Sequence, residues 1–203
     1  LLDSVTVVVN PIPDAVAALT SGNADVCLNS TPEPQITFTG SGSTGPYTFE
    51  YKLNGVPQVP VVGTPNYIIT VPTTATGTFI YEITKVTDAG STTCSKTVSS
   101  SVTVTVHALP TATITTPATV CQNSTPYPAI TFTGAGGAPP YIFTYDLNGG
   151  ATQTISTSPS NNVVSITQPT TTAGVYNYNL HDVLENGVGC QQNQPATIAT
   201  APP

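Results

Sequence analysis

Basic side chains are nearly missing from this chain. Its 203 residues include three lysines and no arginine against ten carboxylates, a formal net charge of −7 with 6% charged residues in all. Nucleic-acid binding needs a basic footprint that displaces phosphate counterions, so nucleic acid is excluded as a partner. The anionic face of a membrane is excluded for the same reason. No apolar run approaches the roughly 20 residues of a bilayer-spanning helix, so no direct membrane insertion is expected. Sustained helical periodicity is missing too, and twenty prolines with sixteen glycines would break any helix that began.

What the chain has instead is threonine, close to a fifth of all residues, with much Ser, Asn and Gln. Threonine is β-branched and suits the solvated face of a strand. A hydrophobic fraction of 38% in regular alternation argues for folded sheet rather than a disordered Thr/Pro/Gly tract.

The sequence then says one thing twice. Val26-Cys27-Leu28-Asn29-Ser30-Thr31-Pro32 returns as Val120-Cys121-Gln122-Asn123-Ser124-Thr125-Pro126. Pro46-Tyr47-Thr48-Phe49-Glu50-Tyr51-Lys52-Leu53-Asn54-Gly55 returns as Pro140-Tyr141-Ile142-Phe143-Thr144-Tyr145-Asp146-Leu147-Asn148-Gly149. A period of about 95 residues matches one all-β sandwich domain and exceeds the repeats of solenoids. Ser4-Val5-Thr6-Val7-Val8-Val9-Asn10 also matches Ser101-Val102-Thr103-Val104-Thr105-Val106-His107. Residues 1–12 therefore read as the last strand of a preceding repeat, 13–109 as repeat 1 and 110–203 as repeat 2. Neither an initiator methionine nor a signal peptide is visible, and the chain reads as a window of a longer array.

Each repeat reads as about seven short strands between turn residues. In repeat 1 these fall near 15–19, 35–39, 47–53, 58–62, 67–71, 77–86 and 98–106. Tyr47, Phe49 and Tyr51 alternate onto one face, as do Phe79, Tyr81 and Ile83. Asn54-Gly55 and Asn148-Gly149 are hairpin turns, because Asn and Gly tolerate positive φ. Ile12-Pro13 and Leu109-Pro110 are short stiff linkers.

Four cysteines permit three pairings, and the duplication selects Cys27–Cys94 and Cys121–Cys190. Each would close a loop of close to 70 residues, worth about 4 kcal/mol in the chain-entropy model. Disulfides imply an oxidising, extracytoplasmic setting. The alternative is four reduced cysteines in a cytosolic protein. Zinc is not expected, since no close Cys pair exists and His107 and His181 are not equivalent positions.

The run Pro-Tyr-x-Phe-x-Tyr-x-Leu-Asn-Gly, then Gly-x-Phe/Tyr-x-Tyr, then an acidic turn ending in Cys, resembles a known family. It is similar to the immunoglobulin-like, PKD-like repeats of giant surface proteins of Bacteroidota, the group that includes the SprB-type gliding adhesin. The resemblance covers both repeats. It implies tandem immunoglobulin-like β-sandwich domains forming extracellular stalks or filaments, exported by the type IX system, with roles in adhesion and gliding motility. The chain departs from the immunoglobulin pattern where Tyr51 and Tyr145 hold the strand-C Trp position and Tyr81 and Tyr178 hold that of the second core Cys. Phe79 and Tyr176 take the tyrosine-corner position, where only Tyr176 has a hydroxyl to bond.

The remaining candidates weigh chemistry against bland alternatives. Asn29-Ser30-Thr31 and Asn123-Ser124-Thr125 are glycosylation sequons, but Asn and Ser ahead of Pro favour turns. Asp3-Ser4-Val5 resembles the O-glycosylation motif of Bacteroidota, which marks Ser4. Asp88 with Glu50, or Asp182 with Glu185, are calcium candidates whose spacing guarantees no converging set of oxygens. His181-Asp182 lacks a nucleophile elbow, and repeat 1 has Thr84 and Lys85 there, so catalysis is not expected. Tyr47/Phe49/Tyr51 reads as core rather than a sugar-stacking platform. Isopeptide staples need a lysine, and repeat 2 has none.

The sequence thus points to a non-enzymatic, disulfide-stapled stalk segment of an extracellular cell-surface adhesin, with no cofactor. Its partners would be neighbouring repeats and, as ligand, a surface polysaccharide or protein. Two alternatives stand. Either residues 1–10 are a donor strand that polymerises subunits into a fibre, or the repeats themselves are a carbohydrate- or protein-binding accessory module of a secreted protein.

Overall fold

The computed structural model describes residues 3–90, 92–116 and 119–201, and of 195–201 only the strand course. The chain divides into two compact units, Leu1–Val106 and His107–Pro203.

Unit 1 is a sandwich of two antiparallel-paired sheets. One holds β1 (Asp14–Ser21), β3 (Gln35–Ser41) and β7 (Asn66–Thr70) in the order β1-β3-β7. The other runs β2 (Asp25–Cys27), β9 (Ser95–His107), β8 (Gly77–Thr87), β4 (Tyr47–Leu53), β5 (Val56–Pro57), with β6 (Val61–Gly63) also on β4. The single strand expected over 58–62 is instead the pair β5 and β6. Pro57 and Pro60 have no N–H to give a ladder, which breaks the run.

Unit 2 repeats the plan. β10 (Thr111–Thr115), β11 (Ala129–Ala135) and β14 (Val163–Thr167) form one sheet in the order β10-β11-β14. β13 (Gln153–Ser156), β12 (Tyr141–Leu147), β15 (Tyr176–Glu185) and β16 (Gln191–Ala201) form the other in that order.

Period-2 alternation sends one face of every strand inward. Ile36 and Phe38 of β3 meet Tyr47 and Phe49 of β4 and Tyr81 and Ile83 of β8 in the first core. In the second, Ile130 and Phe132 meet Tyr141, Phe143, Tyr145, Tyr178 and Leu180. Phe38 lies 5.9 Å from Phe49 and 5.3 Å from Tyr51, edge to face. Phe132 lies 5.6 Å from Phe143 and 5.0 Å from Tyr145. The Asn-Gly turns have the expected positive φ, 49° and 80° at Asn54 and Gly55, 55° and 71° at Asn148 and Gly149.

Residues 3–13 take no strand. Val5, Val7 and Val9 are 90%, 80% and 89% exposed, whereas Val104 and Val106, which match Val7 and Val9 in sequence, are 0% and 2% exposed in β9.

Candidate functional site

The chemistry-bearing side chains gather at the two ends of each sandwich, here called the leading pole, where the chain comes in, and the trailing pole, where it leaves. At the leading pole of unit 2, β15 ends on Glu185 and the turn to β16 folds back over its carboxylate. That carboxylate accepts N–H bonds from Gly187 (2.9 Å), Val188 (2.9 Å), Gly189 (3.1 Å), Cys190 (3.2 Å) and Ala138 (3.4 Å). Glu185 N–H closes the turn on the Cys190 carbonyl at 2.9 Å. Cys190 is fully buried. His107 and Ala108 line one pocket together with Glu185, Gly187 and Val188, which puts this turn beside the incoming chain.

Burial pushes the Glu185 carboxyl up, but the N–H groups of Cys190, Val188, Gly187 and Ala138 outweigh it and hold the group below its ordinary value. A depressed carboxylate contributes stability that is present above its unfolded-state value and lost as pH falls through the lower folded one. Glu185→Gln presents an amide NH2 to this ring of donors and is expected to cost about 1.5–3 kcal/mol at neutral pH. Urea melts from neutral to strongly acidic pH should show the difference between wild type and variant shrinking over that acid window. A variant as stable as wild type at neutral pH would contradict this role for the carboxylate.

Unit 1 closes the equivalent turn with the same backbone bond but without the ring of donors, and its shorter acid, Asp88, keeps a buried Oδ1 that has no hydrogen-bond partner. Asp88 is buried, and its N–H donates to the Cys94 carbonyl at 3.0 Å. The incoming segment reaches this turn, as Asn10 Nδ2 donates to Thr92 Oγ1 at 2.6 Å and Thr92 Oγ1 lies 3.5 Å from Cys94 Sγ. Gly42 and Gly136, with φ of +80° and +75°, sit against the incoming carbonyls of Ile12 and Leu109, where a Cβ would come within 2.8 and 2.9 Å.

The trailing poles carry the Asn-Ser-Thr-Pro turns. Asn29 and Asn123 are left-handed, with φ of 61° and 60°. Their N–H groups donate to the carbonyls of Thr73 (2.8 Å) and Thr170 (2.9 Å). Thr73 and Thr170 return the bond through Oγ1 to the carbonyls of Ser30 and Ser124, each at 3.0 Å. Both Asn residues are exposed, as is Ser4 on the unpaired incoming segment. Cys27 ends β2, where the Ala24 carbonyl accepts from Thr105 N–H near the end of β9 at 2.7 Å. Cys121 lines a pocket with Thr170, Thr172 and Tyr176.

This placement corrects the expected cysteine pairing. Cys94 and Cys121 are free thiols, while Cys27 and Cys190 are disulfide-bonded. Cys94 precedes β9 at one pole, and Cys27 lies by the far end of that strand. From Ser95 to Thr105 the strand covers roughly 33 Å at ~3.3 Å per residue, against the ~5.5 Å between Cα atoms that a disulfide tolerates. The same holds between Cys121 and Cys190. In each repeat five strand passes separate the two cysteines, and an odd number of passes leaves the chain at the opposite pole.

The other sequence candidates resolve into structure. His181 Nε2 lies 2.6 Å from Asp146 Oδ2, not against a nucleophile. Asp146 also accepts from Asn179 (2.9 Å) and Gly149 N–H (2.6 Å), so it fastens the Asn148-Gly149 hairpin. Burial raises the Asp146 carboxyl, and Asn179, His181 and Gly149 together bring it below its ordinary value. The Asp-x-Asn-Gly spacing carried this signal and sequence reasoning missed it. Glu50 bonds Lys85 at 2.9 Å, and Asp182 and Glu185 point to opposite faces of β15, so neither acidic pair converges. Among the described residues no group of three or more His, Cys, Asp or Glu is placed to hold a metal. Tyr141, Phe143 and Tyr145 are buried core, as are Tyr47 and Phe49. Tyr176 donates its hydroxyl to the Thr172 carbonyl at 3.0 Å, the corner bond that Phe79 lacks.

Among solved structures, the N-terminal eight Ig domains of Down syndrome cell adhesion molecule isoform 1.30.30 superpose with a TM-score of 0.53 at 12% identity, over 95% of this chain and 25% of that one. The fold is an immunoglobulin-like β-sandwich, present twice. A structure addressing host cell surface retention of a 1.5-MDa bacterial ice-binding adhesin aligns with a TM-score of 0.48 at 12% identity, covering 95% of this chain and 64% of that one. Fibronectin(III)-like modules of Clostridium thermocellum CbhA align at 0.40 and 13% identity, over 92% and 93% of the two chains. The chain thus spans under two thirds of the adhesin structure and a quarter of the cell adhesion molecule structure. No family model and no curated protein sequence matches it.

Proposed function

We propose that this chain is a non-catalytic stalk segment of an extracellular surface adhesin, in which repeats 13–109 and 110–203 follow a repeat whose last strand is residues 1–12. The observation that carries this reading is the exposed row of Val5, Val7 and Val9, in a segment whose sequence twin in β9 is buried. An apolar alternating strand of this kind is stable when it closes a sheet. Little charge, cores of stacked aromatics and cysteines at both poles of each repeat suit a mechanical role. The motif resemblance supports a Bacteroidota-type surface protein exported by the type IX route, with neighbouring repeats as its immediate partners.

The binding-module reading is disfavoured by the burial of the aromatic rows in both cores. Deleting one repeat from the surface protein is expected to shorten its projection by about 35–45 Å, the length of one sandwich, without changing what it adheres to. Loss of adhesion with the projection otherwise intact would overturn the stalk reading in favour of the binding module. The donor-strand reading rests on the same three valines.

A further inference from the structure

We propose that residues 56–62 of unit 1 are a preformed polyproline-II ligand for a partner protein whose groove is lined by aromatic side chains and flanked by a carboxylate. The segment reads Val56-Pro57-Gln58-Val59-Pro60-Val61-Val62. Proline fixes its own φ at about −65° and drives the residue before it to extended backbone. Val56, Pro57, Val59 and Pro60 are therefore confined to the extended and polyproline-II region. Residues 58–60, between β5 and β6, take no strand, although both flanking strands pair with β4 at the edge of the sheet. Burial along the segment repeats every third residue, not every second. Gln58 and Val61 are half-buried, while Val56, Pro57, Val59, Pro60 and Val62 are exposed. Three residues per turn is the period of polyproline II, with about 9 Å per turn. Gln58 fastens the inward row, its N–H donating to the Tyr51 carbonyl at 3.0 Å and its Nε2 to the Val56 carbonyl at 3.1 Å. Two valine-proline pairs, one turn apart, are left facing outward.

Protection of the sheet edge accounts for the prolines but not for the valines. An edge guarded against pairing carries lysine, proline or very short strands. Here Val56, Val59 and Val62 are 60%, 83% and 55% exposed. The equivalent edge of unit 2, β13, reads Gln153-Thr154-Ile155-Ser156 and exposes no large apolar side chain. Charge narrows what fits. No residue from 53 to 63 is charged, and Lys52 stands opposite Pro57 in the register of β4 and β5. Lys85 pairs with Glu50 and Lys96 with Asp14, whereas Lys52 has no ion pair among the described residues. The edge thus offers two apolar dipeptides beside one uncompensated cation. Aromatic grooves seat such dipeptides between their rings at little entropic cost, because the helix is already formed. A carboxylate at the end of the groove complements Lys52. The ligand goes beyond the stalk reading, which rests on Val5, Val7 and Val9.

The test titrates the full chain into SH3 and WW domains, whose aromatic grooves carry tryptophan. The chain has no tryptophan, so every change in tryptophan emission comes from the probe. Saturable binding to at least one probe is expected. Pro57→Ala and Pro60→Ala should each weaken it about tenfold or more, the scale of emptying one pocket. Lys52→Gln should weaken it a few-fold and flatten its dependence on salt. Thr154→Ala, on the equivalent edge of unit 2, should change nothing. Unchanged hydrogen exchange of the β4 and β8 amides in each variant separates lost contact from lost fold. Silence from every probe, or binding that survives both proline substitutions, would overturn the ligand and leave the stalk reading standing. Self-association in sedimentation that Pro57→Ala abolishes would overturn it as well, by giving the ridge to a second copy.

Discussion

Phe132→Ala is expected to remove about 3–5 kcal/mol from the stability of the second repeat. Phe132 is wholly buried on β11, between its register neighbours Ile114 and Val164, with the rings of Phe143 and Tyr145 5.6 and 5.0 Å away. Truncation forfeits the transfer of the ring and the aromatic contacts, and two facing sheets cannot collapse into the cavity without breaking their ladders. With total domain stability typically about 5–15 kcal/mol, such a loss brings the repeat close to unfolding. Hydrogen exchange of the β11 and β14 amides localises the effect, and urea titration measures it. Phe132→Leu keeps most of the volume and should cost clearly less. An alanine variant within about 1 kcal/mol of wild type would mean that the core is not built around this ring.

Gly134→Ala should cost about 2–3 kcal/mol although it adds a single methyl group. The new Cβ would lie 2.4 Å from Cγ of Tyr141 and 2.7 Å from both its Cδ atoms. The ring cannot step aside. Tyr141 is 2% exposed, its hydroxyl donates to the Gly137 carbonyl at 2.7 Å, and its N–H donates to Thr157 Oγ1 at 2.9 Å. Repeat 1 has the same device, since a Cβ on Gly40 would lie 2.3 Å from Cγ of Tyr47, whose hydroxyl donates to the Ser43 carbonyl. The requirement is steric, so removing the ring should remove it. In a Tyr141→Ala background the glycine substitution should add almost no further loss, a coupling that a double-mutant cycle in urea reads directly. Equal costs in both backgrounds would place the penalty in the backbone instead.

The sandwich was legible because its signals are local. Tyr47, Phe49 and Tyr51 announce a half-buried strand through period 2, and Asn54-Gly55 announces the turn after it through positive φ. The Gly40–Tyr47 and Gly134–Tyr141 contacts were not legible, because a glycine before a turn reads the same whether or not a ring lies across it. The cysteines show a different limit. Duplication identifies Cys27 with Cys121 and Cys94 with Cys190, but equivalence in sequence says nothing about which pole a residue occupies. Counting strand passes does, since five separate Cys27 from Cys94 and an odd count places them at opposite ends. Glu185 lay in a turn recognised as acidic, yet four of its five N–H bonds depend on how the next five residues fold over it, and the fifth comes from Ala138, in the loop before β12. The Asp-x-Asn-Gly spacing made the bond of Asp146 to Gly149 N–H legible, but Asn179 and His181 reach the same carboxylate from the neighbouring strand β15, across a register that composition does not specify.

Electron microscopy of the native surface material, combined with the intact mass of its polypeptide, tests the stalk assignment most directly. The account predicts one very long polypeptide of linearly strung domains, in which a strand equivalent to residues 4–10 closes the repeat before it. A short subunit of little more than two repeats, recurring along a filament and donating that strand to its neighbour, would contradict it.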